Sequence, residues 1–256
     1  MPSRDISLIF YKGIQMFKQF ARLPTVLLML LTLDLSGARA QDSDEARVKQ
    51  AVQAKFPKMS VDTVTRMPFG GLFEVVMGSE VVYTDSKAEF MMGGTLYDIR
   101  TMPARNITQD TTQKLASKAL TTSHDSAIKM VRGNGKRVLY TFEDPNCGYC
   151  RELYKELVKM TDVTVYTFLL PILSPDSTEK SRAIWCAKDR AKAWEQVMTK
   201  GALTEASKPC DTPLAKNTEI SQRLGIRGTP AIYLASGQQL GGFIPAQQIE
   251  QAFAKK

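Results

Sequence analysis

The chain is predicted to fold as a small α+β N-terminal module joined by a linker helix to an α/β domain. Three patterns predict it: apolar residues recurring at period two in the first half, a polar helical stretch in the middle, and alternating strand and helix patterns from Arg137 onward.

The first forty residues read as an export leader that takes no part in the fold. Lys12, Lys18 and Arg22 form a basic start, Leu23 to Leu33 an apolar run, and Ala38-Arg39-Ala40 a small-x-small cleavage site, so the mature chain is expected to begin at Gln41. The apolar run falls short of the roughly 20 residues a membrane span needs. Translation starting at Met16, or an uncleaved leader acting as a tether, are the alternatives. The remaining 256 − 40 = 216 residues suffice for two small domains.

From Ser43 an amphipathic helix places Ala46, Val48, Ala51, Val52 and Phe56 on one side and stops at Pro57. Short strands follow at Val61 to Arg66, Leu72 to Met77, Glu80 to Thr84 and Thr95 to Arg100, with Gly78-Ser79 as a tight hairpin turn. One helix and one small sheet make a marginal core, so residues 41–102 are expected to need a partner, and a second copy of the chain is the favoured one. Six methionines in this half (Met59, Met67, Met77, Met91, Met92, Met102) fit either core filling, expected for most, or an adaptable surface for unfolded proteins.

Thr108 to Val131 is polar, with Leu115, Ala119, Ile128 and Val131 at helical spacing, and residues 103–134 are assigned to a linker helix that Gly133-Asn134-Gly135 ends. Residues 135–256 then give strand Arg137 to Phe142, helix Tyr149 to Lys159, strand Val163 to Leu169, a long helical region Ser177 to Thr199 and a helix Thr212 to Leu224. Strands Ala231 to Leu234 and Gln239 to Phe243 and a last helix from Pro245 close the order: a βαβ unit, then a hairpin and a helix.

The chemistry is concentrated in Cys147-Gly148-Tyr149-Cys150, which follows an apolar strand and opens a helix. There the first cysteine meets free N–H groups and the positive end of the helix dipole, both of which favour a thiolate, so Cys147 is the expected nucleophile. Lowering a thiol pKa from ~8.5 to ~6 raises the thiolate fraction about 30-fold but cuts nucleophilicity roughly 10-fold. The larger effect is on the reduced form, stabilised by about 3.4 kcal/mol, or about 70 mV toward a more oxidising couple. Cys150, one turn on and facing inward, is expected to resolve the mixed disulfide.

A structural disulfide and half of a zinc site are the bland alternatives for this pair. Zinc is disfavoured because Cys186 and Cys210 stand apart and the single histidine, His124, lies in the linker; no metal and no cofactor are expected. Cys186 and Cys210 suit a structural bridge across 210 − 186 = 24 residues, worth about 3.5 kcal/mol, with buried free thiols as the alternative. Gly228-Thr229-Pro230 precedes a strand, and its spacing alone would leave it an ordinary turn.

Removing the leader takes five basic and two acidic residues away, so the formal charge falls from +8 to 8 − 3 = +5. The surplus is scattered among acids, as in Ser181 to Lys192, and is not interleaved with aromatics, so no nucleic-acid partner is expected.

Three segments resemble one family, the exported disulfide isomerases of the DsbC and DsbG type: Phe142 to Cys150 (FEDPNCGYC), Ala183 to Asp189 (AIWCAKD) and Leu224 to Ala231 (LGIRGTPA). Gly93 to Asp98 (GGTLYD) resembles the family's N-terminal domain, so the likeness extends over the mature chain. The Gly148-Tyr149 dipeptide is similar to the DsbC branch, because the other branch carries Pro-Tyr there.

The resemblance implies a thioredoxin-like catalytic domain with a helical insertion, behind an N-terminal dimerisation domain over residues 41–102. It further implies catalysis by Cys147 and Cys150, a cis peptide before Pro230, a structural Cys186–Cys210 disulfide, and substrate contacts from Gly148, Tyr149, Thr229 and Pro230. Implied with these are a periplasmic homodimer with chaperone activity, misoxidised or unfolded exported proteins as substrates, and a membrane reductase of the DsbD type as electron donor. In one respect the chain departs: thioredoxin has a buried aspartate six residues before its first active cysteine, and this chain has Thr141. Glu143 or a water is then the proton acceptor for Cys150.

Overall fold

The computed structural model describes residues 35–203 and 208–254, with side chains from residue 44 onward. The basic start and the whole apolar run of the expected leader lie outside the described residues.

Helix α1 (Leu35–Lys55) packs on a four-stranded antiparallel sheet of β1 (Thr63–Arg66), β2 (Phe73–Met77), β3 (Glu80–Thr84) and β4 (Met91–Gly93), in that order. The helix begins 43 − 35 = 8 residues before the predicted start and runs across the expected cleavage point. Val48 and Val52 are buried from α1 against Val61, Phe73, Val75, Met77 and Val82. The other face of the sheet, with Met67, Val76, Val81 and Tyr83, is covered by Leu96, Ile107 and Leu115. Both faces are therefore closed, which is why all five residues of β2 are buried. At the predicted hairpin, Met77 pairs with Glu80 and Gly78 takes φ +60°, a conformation that side chains disfavour.

Two expectations for this half are corrected. Strand β4 was not predicted, and the strand expected over Thr95 to Arg100 is only β5 (Tyr97–Asp98), paired with β6 (Arg105–Asn106) in a separate ribbon. Of the six methionines, Met67 and Met77 fill the core, whereas Met59, Met91, Met92 and Met102 are exposed, so core filling does not hold for most of them.

Helix α2 (Ile107–Thr121) is the predicted linker helix, capped by Asn106 through the Gln109 amide. It ends ten residues earlier than expected. After a 3₁₀ turn at His124–Ser126, Ile128 and Val131 lie on β7 (Ile128–Arg132), an edge strand antiparallel to β9 (Val163–Leu169). Their spacing suited a helix, but Ile128 and Met130 alternate inward with Lys129 and Val131 outward, and the open edge of β9 captured the segment. Gly133-Asn134-Gly135 is thus an inter-strand turn, in which a Cβ at Gly133 would meet the Asp162 backbone nitrogen at 2.8 Å.

The second, five-stranded sheet has the order β11-β10-β8-β9-β7, with β8 (Arg137–Glu143) parallel to β9 (Val163–Leu169) and β10 (Ala231–Leu234) and β11 (Gln239–Gly241) antiparallel. Helix α3 (Gly148–Leu157) connects β8 to β9. The long helical region predicted from Ser177 is two helices, α4 (Pro175–Trp185) and α5 (Arg190–Lys200), broken where Asp189 caps α5. Helices α6 (Leu214–Arg223) and α7 (Ala246–Ala254) complete the chain. Among the described residues no helix is long and apolar enough to cross a membrane.

Candidate functional site

Strand β8 is buried from Leu139 through Glu143 and delivers the chain to Asp144-Pro145-Asn146, a loop tied down by side chains. Asp144, fully buried, accepts from the Asn146 amide (2.8 Å) and from the Ile172 and Leu173 amides (2.8 and 3.0 Å), joining the exits of β8 and β9. Asn146 donates to Asp176 (2.8 Å) and to the hydroxyls of Ser174 and Ser177, and its carbonyl accepts from Lys180 (2.8 Å). Residues of α4 and its cap therefore hold the loop that presents Cys147.

Cys147 is the N-cap of α3, so the first amides of the helix point toward it. Its pKa falls to about 5, chiefly through the Cys150 thiol, then the Thr229 hydroxyl and the amides of Cys150 and Tyr149, with burial opposing. The sequence gives the backbone amides the leading part; in the folded chain the neighbouring thiol leads. Cys147 is buried, with only 6% of its surface in solvent. Cys150 is fully buried beside Leu169, Ile184, Trp185 and Trp194, and burial pushes its thiol far up.

The peptide between Thr229 and Pro230 is cis, and the Cys147 thiol donates to the Thr229 carbonyl at 3.3 Å. Register places this loop: Ala231 opposes Phe142, so Thr229 and Pro230 stand at the end of β8. The structure thus brings Cys147, Cys150, Thr229 and Pro230 together. Gly148 and Tyr149 face outward, Tyr149 being 67% exposed with its ring 6.3 Å from that of Phe243. Cys186 and Cys210 form a disulfide, with Cα atoms 5.6 Å apart, which removes the free-thiol alternative. Among the described residues, no group of three His, Cys, Asp or Glu side chains is placed to hold a metal ion.

Three contributors carried no assigned role in the sequence: Asp144, Asn146 and Phe243. The first two lay inside the FEDPNCGYC segment, so their position was a signal; Phe243 is 93 residues from Cys150, and only the fold brings its ring toward Tyr149. Glu143, an open alternative in the sequence, is fully buried on β8, and burial raises its pKa to about 8.

Residues 39–109 match the family described as the disulfide bond isomerase protein N-terminal domain, and residues 124–256 match the thioredoxin-like domain family. The chain is 42% identical over 215 residues to the probable thiol:disulfide interchange protein DsbC of Bordetella parapertussis, covering 84% of this chain and 76% of the relative. It is 29% identical over 227 residues to the thiol:disulfide interchange protein DsbC of Escherichia coli, covering 87% and 93%. A crystal structure of a disulfide interchange protein from Neisseria gonorrhoeae matches at 44% identity and a TM-score of 0.50, over 52% of this chain and 96% of that one. With a redox-capable cysteine pair at a helix N-terminus in a thioredoxin-like fold, and relatives of this identity over most of its length, the chain belongs to the DsbC family of thiol:disulfide interchange proteins.

Proposed function

We propose that Cys147 and Cys150 carry the interchange and that its main outcome is rearrangement of wrong disulfides in exported proteins. The Cys147 thiolate attacks one sulfur of a client disulfide, forming a mixed disulfide and expelling a client thiolate. A second client thiolate then attacks the mixed disulfide, making a new client bond and freeing Cys147 with no net change in oxidation state. When no client thiol arrives, Cys150 displaces the client, which leaves reduced while Cys147–Cys150 forms. That disulfide must be re-reduced by a dithiol donor, for which a membrane reductase of the DsbD type is our candidate.

The observation that carries this reading is the different placement of the two thiols: Cys147 caps α3, with its pKa lowered to about 5, and Cys150 is fully buried, which pushes its thiol far up. Only one sulfur is then a nucleophile and leaving group at neutral pH, and the other is held in reserve. Gly148 and Tyr149 form the outward rim, and the backbone at Thr229 offers hydrogen bonds to an extended client segment. Cys186–Cys210 serves as a structural bridge. The domain division follows the sequence: leader 1–40 cleaved after Ala40, dimerisation domain 41–102, linker 103–134, catalytic domain 135–256, in a periplasmic protein.

A second copy is the partner we assign to the N-terminal half. β4 is an edge of its sheet, Phe90 just before it is 76% exposed, and Ile99 and Met102 in the following segment are 78% and 92% exposed. An exposed strand edge flanked by exposed apolar side chains is ordinarily covered. The same surface supports a second activity, holding unfolded chains irrespective of their cysteines.

Refolding of a scrambled multi-disulfide protein tests the main reading. The reduced protein is expected to restore the native pairing, and Cys147→Ala to lose that rescue while still suppressing aggregation of a cysteine-free client. Rescue by Cys147→Ala equal to that of the parent defeats the assignment.

A further inference from the structure

Glu143 is an ionisable carboxyl sealed in the core behind the cysteine pair, with half of it unpartnered. Its Oε1 accepts from the Thr141 hydroxyl at 2.7 Å, with the Thr167 hydroxyl at 3.5 Å, and those two hydroxyls lie 3.0 Å apart. Its Oε2 is buried with no hydrogen-bond partner. A buried carboxyl oxygen left without a partner is costly unless it holds a proton or waits for one. The interchange described above has no use for such a group in the attack by Cys147, which is already ionised. It does have a use in the resolution step, because Cys150 is fully buried, enters the reaction as S–H and must lose that proton.

We propose that Glu143 is the proton acceptor for Cys150 when the mixed disulfide on Cys147 is resolved; the proposal rests on the assignment of Cys147 as nucleophile and Cys150 as resolving thiol. The role that a buried aspartate would fill at position 141 has moved two residues along β8, onto the same face of the strand, and Thr141 now positions the carboxyl that replaces it.

The charge on Cys147 times the transfer. Both cysteines, at the cap and in the first turn of α3, interact electrostatically with the carboxyl; Thr141 on its own strand and Thr167 on β9 contribute hydroxyls only. Burial is the main cause of the carboxyl's raised pKa, the Thr141 hydrogen bond opposes it, and the Cys147 thiolate adds to it. In the reduced enzyme Glu143 therefore holds a proton at neutral pH. Formation of the mixed disulfide cancels the negative charge on Cys147, which removes one of the causes that raise the carboxyl's pKa and enlarges its ionised fraction, the proton passing to the departing client thiolate. The carboxylate then takes the proton from Cys150 as Cys150 sulfur attacks Cys147 sulfur. The Cys147–client bond breaks, Cys147–Cys150 forms, the client leaves as thiolate, and Glu143 ends protonated. Electrons balance within the three sulfurs.

A chromogenic aryl disulfide resolves the two steps, since attack by Cys147 releases one coloured thiolate and attack by Cys150 releases the second. In Glu143→Gln the second release is expected to slow roughly 100-fold at neutral pH relative to the first, and the deficit to shrink as the pH rises toward Cys150's own ionisation. A deficit of purely structural origin would not vanish with pH. A second measurement avoids reliance on the variant's folding: the infrared carbonyl band of a protonated buried carboxyl is expected in the reduced parent and expected to weaken when a neutral alkylating reagent blocks Cys147. Second release with an unchanged rate and pH profile in Glu143→Gln, or a carboxyl band indifferent to Cys147, overturns the proposal. Absence of even the first release from the parent would instead overturn the assignment of Cys147, so the two failures are distinct.

Discussion

The Cys147 sulfur lies 3.3 Å from the carbonyl oxygen of Thr229, 82 residues along the chain. A carbonyl can only accept, so this contact suits the neutral thiol, whereas the thiolate depends on donors: the Cys150 thiol first, then the Thr229 hydroxyl and the first amides of α3. One loop therefore touches both protonation states, and the balance falls to the donors.

The first prediction concerns that balance. Thiolate absorbance of the reduced protein is expected to titrate with a midpoint near the value of about 5. Because the Cys150 thiol is the leading cause, Cys150→Ala should raise the midpoint, and Cys150→Ser, which keeps a donor, should raise it less. A midpoint indifferent to both substitutions would assign the thiolate to the helix terminus alone.

Stability should follow the redox state in a defined pH window. A thiol whose folded pKa is depressed contributes stability that is present above its unfolded pKa and lost as pH falls through the folded one. For Cys147 those limits are 9.0 and about 5, so the reduced form should gain on the oxidised form as pH rises between them. Glu143 acts oppositely: its raised pKa contributes stability at low pH that is lost as pH rises from 4.5 through about 8. Its burial is common to both redox forms and largely cancels in their difference. Denaturation midpoints of the two forms across this range provide the measurement, and a difference that stays flat would contradict the assignment.

Gly237 tests how the linker helix is seated. It lies in the turn between β10 and β11 at φ +84°, and a Cβ there would come 1.9 Å from the Gln113 carbonyl oxygen and 2.6 Å from the Ser117 nitrogen, both backbone atoms of α2. Beside it the Ser117 hydroxyl donates to the Ala235 carbonyl at 2.7 Å. Gly237→Ala is expected to cost about 1 to 3 kcal/mol more than Gly241→Ala, which shares the left-handed backbone at φ +105° but has open space around it. Equal losses in chemical denaturation would mean that close approach of α2 is not what demands glycine at this position.

Much of this site was readable in the sequence because its chemistry is local. Cys147, Cys150 and the helix they open are neighbours along the chain, so strand, turn and helix dipole could be placed from spacing alone. The strands Glu80–Thr84, Val163–Leu169 and Ala231–Leu234 were placed to the residue, since their patterns had no competing period. Ile128 to Arg132 failed for the opposite reason: five residues satisfy helical and alternating spacing equally, and only the vacant edge of β9 chooses.

By itself, then, the sequence determined where the cysteine pair would sit between its strand and its helix, where most of the strands and helices after Arg137 would lie, and which family the chain resembles. These depend on neighbours within a few residues, where backbone geometry leaves little choice. The folded chain decided the rest: that Cys150's thiol outweighs the backbone amides, that Cys147 is mostly covered, that Phe243 approaches Tyr149, and that one carboxyl oxygen of Glu143 is buried without a partner. Each joins segments distant in sequence, and the burial, hydrogen bonds and charge they share exist only once packing excludes water from between them.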